Sequence, residues 1–277
     1  MGGGALSRVL STVALMVTIT LPFGRGGTAR AGDLYELDTG REVALASGTL
    51  ALGAGLWWLE SGRGGPSDER LAALDPSDLP GIDRIATDLW SPSAARWSDV
   101  LMIGTGLMPL ALLAETGSSM SGGELLVMYV ETMAIEQAVV GALKLGAGRL
   151  RPFTYNDDRR IPDALRRSAY ARRSWPSGHT ATAFAGAMFT SEVYARLHPD
   201  RPSRHWIRGG SLTLAALTGY LRVRAGNHFP TDVLAGAAIG ALIGWAVPAL
   251  HERDPDPLAP DTAARAAGPR IAFGVAF

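Results

Sequence analysis

Three short stretches concentrate side chains that can do chemistry. Lys144 is followed seven residues on by Arg151-Pro152, then comes Pro176-Ser177-Gly178-His179, then Arg222 with His228 and Asp232 behind it. Together they hold permanent cations, imidazoles, a carboxylate and a Ser-Gly turn ahead of an apolar run. Such a set can bind an anion, attack it and protonate what leaves, which is what phosphoryl transfer needs when no metal takes part. Lys144 and Arg151 share a face if their helix persists to Pro152, since seven residues make nearly two turns. Arg151 then grips two anion oxygens while Lys144 acts as a point charge. Two basic residues at a helix C-terminus also serve the macrodipole, so the pair alone decides nothing. Ser177 and Gly178 fall where a helix begins, where free N–H groups face an anion and glycine admits close approach. An ordinary serine cap is the plainer reading of the same residues. His179, one residue further, can hand a proton to a departing oxygen. His228 and Asp232 stand four apart across another helix start, where the carboxylate can fix the imidazole tautomer and aim the second nitrogen as a nucleophile. Asp232 also suits the helix dipole, and the two roles are compatible.

In order and spacing, K-x6-R-P, P-S-G-H and R-x5-H-x3-D resemble the three motifs of the type 2 phosphatidic acid phosphatase family, which includes bacterial class A acid phosphatases and shares its site with vanadium haloperoxidases. One fixed position departs, because Leu221 stands where the family has Ser before Arg222. That removes a hydroxyl and none of the charged groups. The resemblance implies a six-helix core and assigns roles. His228 attacks phosphorus, Asp232 steadies its imidazolium, and His179 protonates the leaving group and then activates water. Lys144, Arg151, Ser177, Gly178 and Arg222 hold the phosphoryl oxygens. It implies no cofactor and no metal ligand, and the chain shows no metal-binding spacing such as H-E-x-x-H.

The elements that must position these residues are read from the apolar pattern. Six helix-length segments recur, at Val43 to Leu59, Ser98 to Ala114, Gly123 to Leu145, Gly178 to Leu197, Ile207 to Leu221 and Thr231 to Leu250, with little strand-like alternation. An all-α single bundle is predicted over 32–250. Gly236, Ala237, Ala238 and Gly240 would let its helices approach closely. Glu60 to Trp97 reads as a loop with at most a short helix, either a lid over the site or a plain connection. Residues 251–277 read as a Pro/Asp-rich linker and short tail.

The 277 residues carry 26 basic and 26 acidic side chains, so no global field draws the chain toward nucleic acid. Without cysteine, disulfides, thiol nucleophiles and thiolate metal sites are excluded. Hydrophobic residues make up 47% and charged ones 19%, yet the mean hydropathy is only +0.12, so soluble and membrane-embedded bundles both stay open. Glu131, Glu136 and Gln137 inside the third segment argue against a span. Trp57, Trp58, Trp90, Trp97 and Trp206 near segment ends suit membrane interfaces, or packing. Arg8, the apolar Val9 to Leu21 and Ala29-Arg30-Ala31 predict a cleaved secretory signal over 1–31, with an uncleaved anchor as the alternative. The expected location is the cell envelope, in the periplasm or inner membrane with the site facing the periplasm. Six arginines between Phe153 and Trp175 outnumber three aspartates there, an excess that could steer anionic headgroups or simply be solvated.

The predicted activity is an acid or lipid phosphate phosphatase acting on a lipid phosphate or a small phosphorylated metabolite. Two alternatives are a vanadate-dependent haloperoxidase with the same anion cage and a noncatalytic envelope protein that binds anionic lipid. The His-Asp pair speaks against the last, since binding alone needs only the cations. The oligomeric state is not legible.

Overall fold

Alanine- and glycine-rich apolar runs with few breakers become long helices in the computed structural model, which describes residues 34–253 apart from Ser118. The six long ones are α1 (Thr39–Ser61), α4 (Pro92–Leu107), α5 (Gly122–Ala147), α7 (Gly178–Leu197), α8 (Ser203–Arg224) and α9 (Pro230–Leu250). Short helices α2 (Asp68–Ala72), α3 (Gly81–Arg84) and α6 (Asp163–Arg166) lie between them. Among the described residues there is no strand, only an isolated bridge between Tyr35 and Glu252. The fold is all-α, as expected. The predicted signal segment 1–31 and nearly all of the tail lie outside the described residues.

Local signals set the helix ends. Ser121 and Glu124 form a capping box at the start of α5. Ser91 caps α4, with Pro92 in the first turn where its missing N–H costs nothing. Two expectations need correction here. The helix carrying Lys144 does not reach Pro152, because Gly148 turns left-handed at φ 51° and its N–H closes on the Lys144 carbonyl. Lys144 and Arg151 therefore share no helical face, and Arg151 enters the site from extended chain. Glu60 to Trp97 holds more than one short helix: α2, a 3-10 turn at Pro76–Asp78, α3 and the first turns of α4. Ser67, Asp75 and Ser91 each cap one of these elements with a side-chain hydrogen bond.

α7 runs through the centre of the bundle, against α4, α5, α8 and α9. Its contact with α9 is unusually close. A Cβ at Gly236, Gly240 or Gly244 would lie 2.4, 2.1 or 2.4 Å from the carbonyl oxygens of Ser177, Ala181 and Ala185. One turn apart, these glycines let the two backbones touch and bring the two helix starts together. The Ser177 N–H donates to the Asp232 carbonyl at 2.9 Å.

Among the described residues, four helical segments are long and apolar enough to cross a membrane: Thr39–Ser61, Pro92–Glu115, Gly122–Thr154 and Pro230–Leu250. α1 packs mainly on α5 and turns Leu50, Leu52, Trp57, Trp58 and Leu59 outward. Such a face would be costly in water and is at home in lipid. Trp57, Trp58 and Trp97 are exposed toward one end of the bundle and Trp206 toward the other, whereas Trp90 is edge-on to Phe153 inside the protein. The chain enters α1 beside the C-terminus of α9, where Arg41 donates to the Leu250 carbonyl, and leaves it beside the C-terminus of α5, where Arg63 donates to the Leu145 carbonyl.

Candidate active site

At that second end the C-termini of α5 and α8 meet the N-termini of α7 and α9, and all eight expected site residues gather there. Lys144 Nζ donates to the Arg173 carbonyl at 3.0 Å and to the Pro176 carbonyl. A Cβ on Gly178 would touch Lys144 Cε at an ordinary 3.6 Å, so the glycine is not forced by the protein itself. Ser177 caps α7, with its oxygen accepting from the Thr180 hydroxyl at 2.9 Å. Arg151 lies over the Tyr170 ring at 3.7 Å and donates to the Asn227 carbonyl at 2.8 Å. Arg222 reaches Tyr170 Oη at 3.1 Å, Ser98 Oγ at 3.2 Å and Asp99 Oδ1 at 3.2 Å. Ser98 thus supplies a hydroxyl partner that the leucine at position 221 cannot.

The tautomer of His228 follows from its neighbours. Arg151 Nη1 lies 3.1 Å from His228 Nε2, and a guanidinium can only donate. Nε2 therefore carries no proton and accepts from the guanidinium, and the proton of the neutral ring sits on Nδ1. That nitrogen faces Asp232 Oδ2 at 3.6 Å, beyond hydrogen-bond reach but close enough to steady an imidazolium. The expected His-Asp pair is present as a charge contact rather than a hydrogen bond. Asp232 is fully held by other donors: the Phe229 N–H at 2.8 Å and the Ser174 hydroxyl on Oδ2, and Arg149 at 2.6 Å on Oδ1. Burial, and then the charges of Arg151, Lys144 and Arg222, hold His228 well below the usual histidine range. That shift favours the neutral ring, the form in which an imidazole can act as a nucleophile.

His179 Nε2 lies 2.8 Å from Asp99 Oδ1. Burial and then the Arg222 guanidinium push His179 down to about 4, against the opposing pull of Asp99. Removing that carboxylate lowers the proton affinity further, so Asp99→Asn should reduce the protonated fraction at every pH above about 4. We expect kcat/KM at pH 6 to fall about tenfold for alkyl phosphates, whose leaving oxygen needs a proton, and far less for nitrophenyl phosphate. Equal losses on both substrates would remove Asp99 from this role.

Sequence reading passed over Arg149, Ser174, Asp83, Asp99 and Tyr170. Arg149 and Ser174 sit inside or beside the motifs at positions a spacing pattern leaves free. Asp83 and Asp99 come from outside the motif region and carry no local signal. Asp83, wholly buried, accepts from Arg149 at 2.7 Å and from the Thr231 N–H and hydroxyl at 3.0 and 2.6 Å. The arginine excess of the 153–175 loop is largely spoken for: Arg160 pairs with Asp158, Arg167 with Asp68 and Arg173 with Glu60.

Residues 125–255, which contain all eight expected site residues, match the PAP2 superfamily. A Lipid A 1-phosphatase from Porphyromonas gingivalis is 37% identical over 128 residues, covering 46% of this chain and 24% of that protein. Another, from Rhizobium johnstonii, is 34% identical over 110 residues, covering 40% of this chain and 41% of that protein. The matched stretch thus spans less than half the length of these curated relatives. The crystal structure of a transmembrane PAP2 type phosphatidylglycerolphosphate phosphatase from Bacillus subtilis aligns with a TM-score of 0.45 and 20% identity, over 74% of this chain and 93% of that one.

Proposed function

We propose that this chain, whose residues 125–255 match the PAP2 superfamily, is a membrane phosphatase that hydrolyses the phosphomonoester of a lipid, through a phosphohistidine on His228 and without a metal at the cage. The observation that carries this reading is the unprotonated Nε2 of His228 facing Arg151, with Lys144, Arg222 and His179 near enough to lower its proton affinity. The protein's own cations supply the charge that a metal would otherwise bring to a phosphoryl group.

In the proposed reaction the Nε2 lone pair forms a bond to phosphorus as the phosphorus–oxygen bond to the leaving group breaks in line. His179 gives its proton to the departing oxygen. It then takes a proton from water, which attacks phosphorus, breaks the phosphorus–nitrogen bond and frees phosphate. Asp232, 3.6 Å from Nδ1, balances the imidazolium formed in the first step. The relatives named Lipid A 1-phosphatase and the outward apolar faces both support a lipid-linked substrate.

The direct test is phosphate release by the purified full chain on lipid A, phosphatidic acid and soluble phosphoesters. We expect release from one or more lipid phosphates at a kcat/KM above that on sugar phosphates. Release from soluble esters alone would overturn the lipid reading, and halide oxidation appearing only on vanadate loading would replace the phosphatase reading.

For orientation we propose that the cage faces the periplasm. In a bundle that crosses the membrane, α1 then carries the chain outward from a cytoplasmic Leu34. A cleaved leader over 1–31 would instead leave Leu34 outside, so the two expectations exclude each other. The cysteine-free chain makes the test clean. With the cage outside, Arg159→Cys reacts with an impermeant maleimide in intact spheroplasts and Arg201→Cys only after lysis. The reverse pattern would place the cage inside.

A further inference from the structure

At the end of the bundle opposite the cage, Glu42 of α1, Glu131 of α5 and His251 at the close of α9 turn toward one another. One donor atom from each lies within 4.8 Å of the others. His251 Nε2 is 3.2 Å from Glu42 Oε1 and 3.1 Å from Glu131 Oε2. All three residues are more than nine-tenths buried, at 8, 8 and 3% exposure. Glu42 Oε2 and both oxygens of Glu131 nevertheless have no hydrogen-bond partner. Buried carboxylate oxygens left bare are expensive, and more so inside a membrane bundle.

The histidine sharpens the problem. Its Nδ1 lies 2.8 Å from the Val247 carbonyl, which can only accept, so Nδ1 carries a proton. In a neutral ring Nε2 then points a lone pair at two carboxylates. A second ring proton, shared between Glu42 Oε1 and Glu131 Oε2, would still leave Glu42 Oε2 and Glu131 Oε1 without a partner. A cation would satisfy all three side chains at once. Donors around a tetrahedral zinc ion stand about 3.4 Å apart, close to the two distances observed, and an Nδ1–H bound to a carbonyl is how ligating histidines are commonly oriented. Arg41 pairs with Glu42 through Oε1 at 3.1 Å, which leaves Oε2 free.

We propose that Glu42, Glu131 and His251 form a site for a first-row divalent cation such as Zn2+, which pins α1 and α5 to the end of α9. Thirteen residues of α5, about 20 Å of helix, separate Glu131 from Lys144, so the ion plays no part in phosphoryl transfer. The ligands come from three helices and are invisible to any motif scan.

The test uses the full chain in detergent, stripped with a chelator and reloaded with Zn2+ or Co2+. We expect about one Zn2+ per chain, an unfolding midpoint roughly 5–10 °C higher on loading, and visible d–d absorption with Co2+. Glu131→Gln, which keeps the side-chain shape, and His251→Gln should each lose the bound metal, the Co2+ spectrum and the thermal shift. Glu131→Gln should still release phosphate at the wild-type rate, which shows that it is folded. A stripped wild type that takes up no stoichiometric metal would overturn the proposal, as would metal retained by both variants. A higher midpoint in Glu131→Gln without any metal response in the wild type would identify the cluster as an acid pair sharing a proton, and would overturn it equally.

Discussion

His228→Ala should abolish phosphate release, lowering kcat by about four orders of magnitude or more, while the protein keeps its helical content. The side chain is 1% exposed and its Nε2 faces Arg151, and an alanine at this position offers no lone pair to attack phosphorus. Rapid acid-free quenching of wild type with labelled substrate should trap an adduct that is stable in base and hydrolyses in acid, as a phosphorus–nitrogen bond does. His179→Ala should let that adduct persist, because the same imidazole is proposed to activate the water that breaks it. Full activity in His228→Ala, or no adduct in either protein, would remove the covalent mechanism and leave direct attack by water on the caged phosphoryl group.

The second large effect is expected from a residue far from the motifs. Asp83→Ala should destabilise the fold by about 3 kcal/mol and lower kcat some ten- to a hundredfold. The buried carboxylate holds Arg149 and both the N–H and hydroxyl of Thr231, and Arg149 in turn holds Asp232 Oδ1 at 2.6 Å. Without it the Thr231 N–H loses its partner at the start of α9, and Arg149 loses one of the two carboxylates that fix it. Asp232 then no longer has a defined place opposite Nδ1 of His228. Thermal unfolding and kcat measured on the same preparation test both halves. A variant with wild-type stability and rate would show that the loop preceding α4 is only a connection.

The helical plan was largely legible in the sequence. α7 runs over the predicted Gly178 to Leu197, and α9 starts one residue before Thr231, because caps, prolines and apolar runs act over a few residues and leave a local trace. The break after α5 leaves no such trace. Apolar periodicity ends at Leu145, but only the left-handed Gly148 shows that the chain turns before Arg151 rather than carrying it on the same helix. The stretch before α4 reads as mostly loop in the sequence because its helices are only one or two turns long, too short for a periodic signal.

The motifs single out the side chains proposed to do chemistry, since residue type and order encode which groups can donate, accept or attack. They also marked the helix ends those residues occupy. Tertiary structure alone decided how the groups meet: that Arg151 faces His228 Nε2, that Asp232 stands at 3.6 Å and is secured by Arg149 and Ser174, and that Asp83 and Asp99 arrive from another part of the chain. It alone brought Glu42, Glu131 and His251 together at the far end. The reason is the same in each case. Local spacing constrains residues within a turn or two, whereas contacts across a bundle depend on which helices touch and how closely. Here that closeness rests on Gly236, Gly240 and Gly244, where α9 meets the backbone of α7.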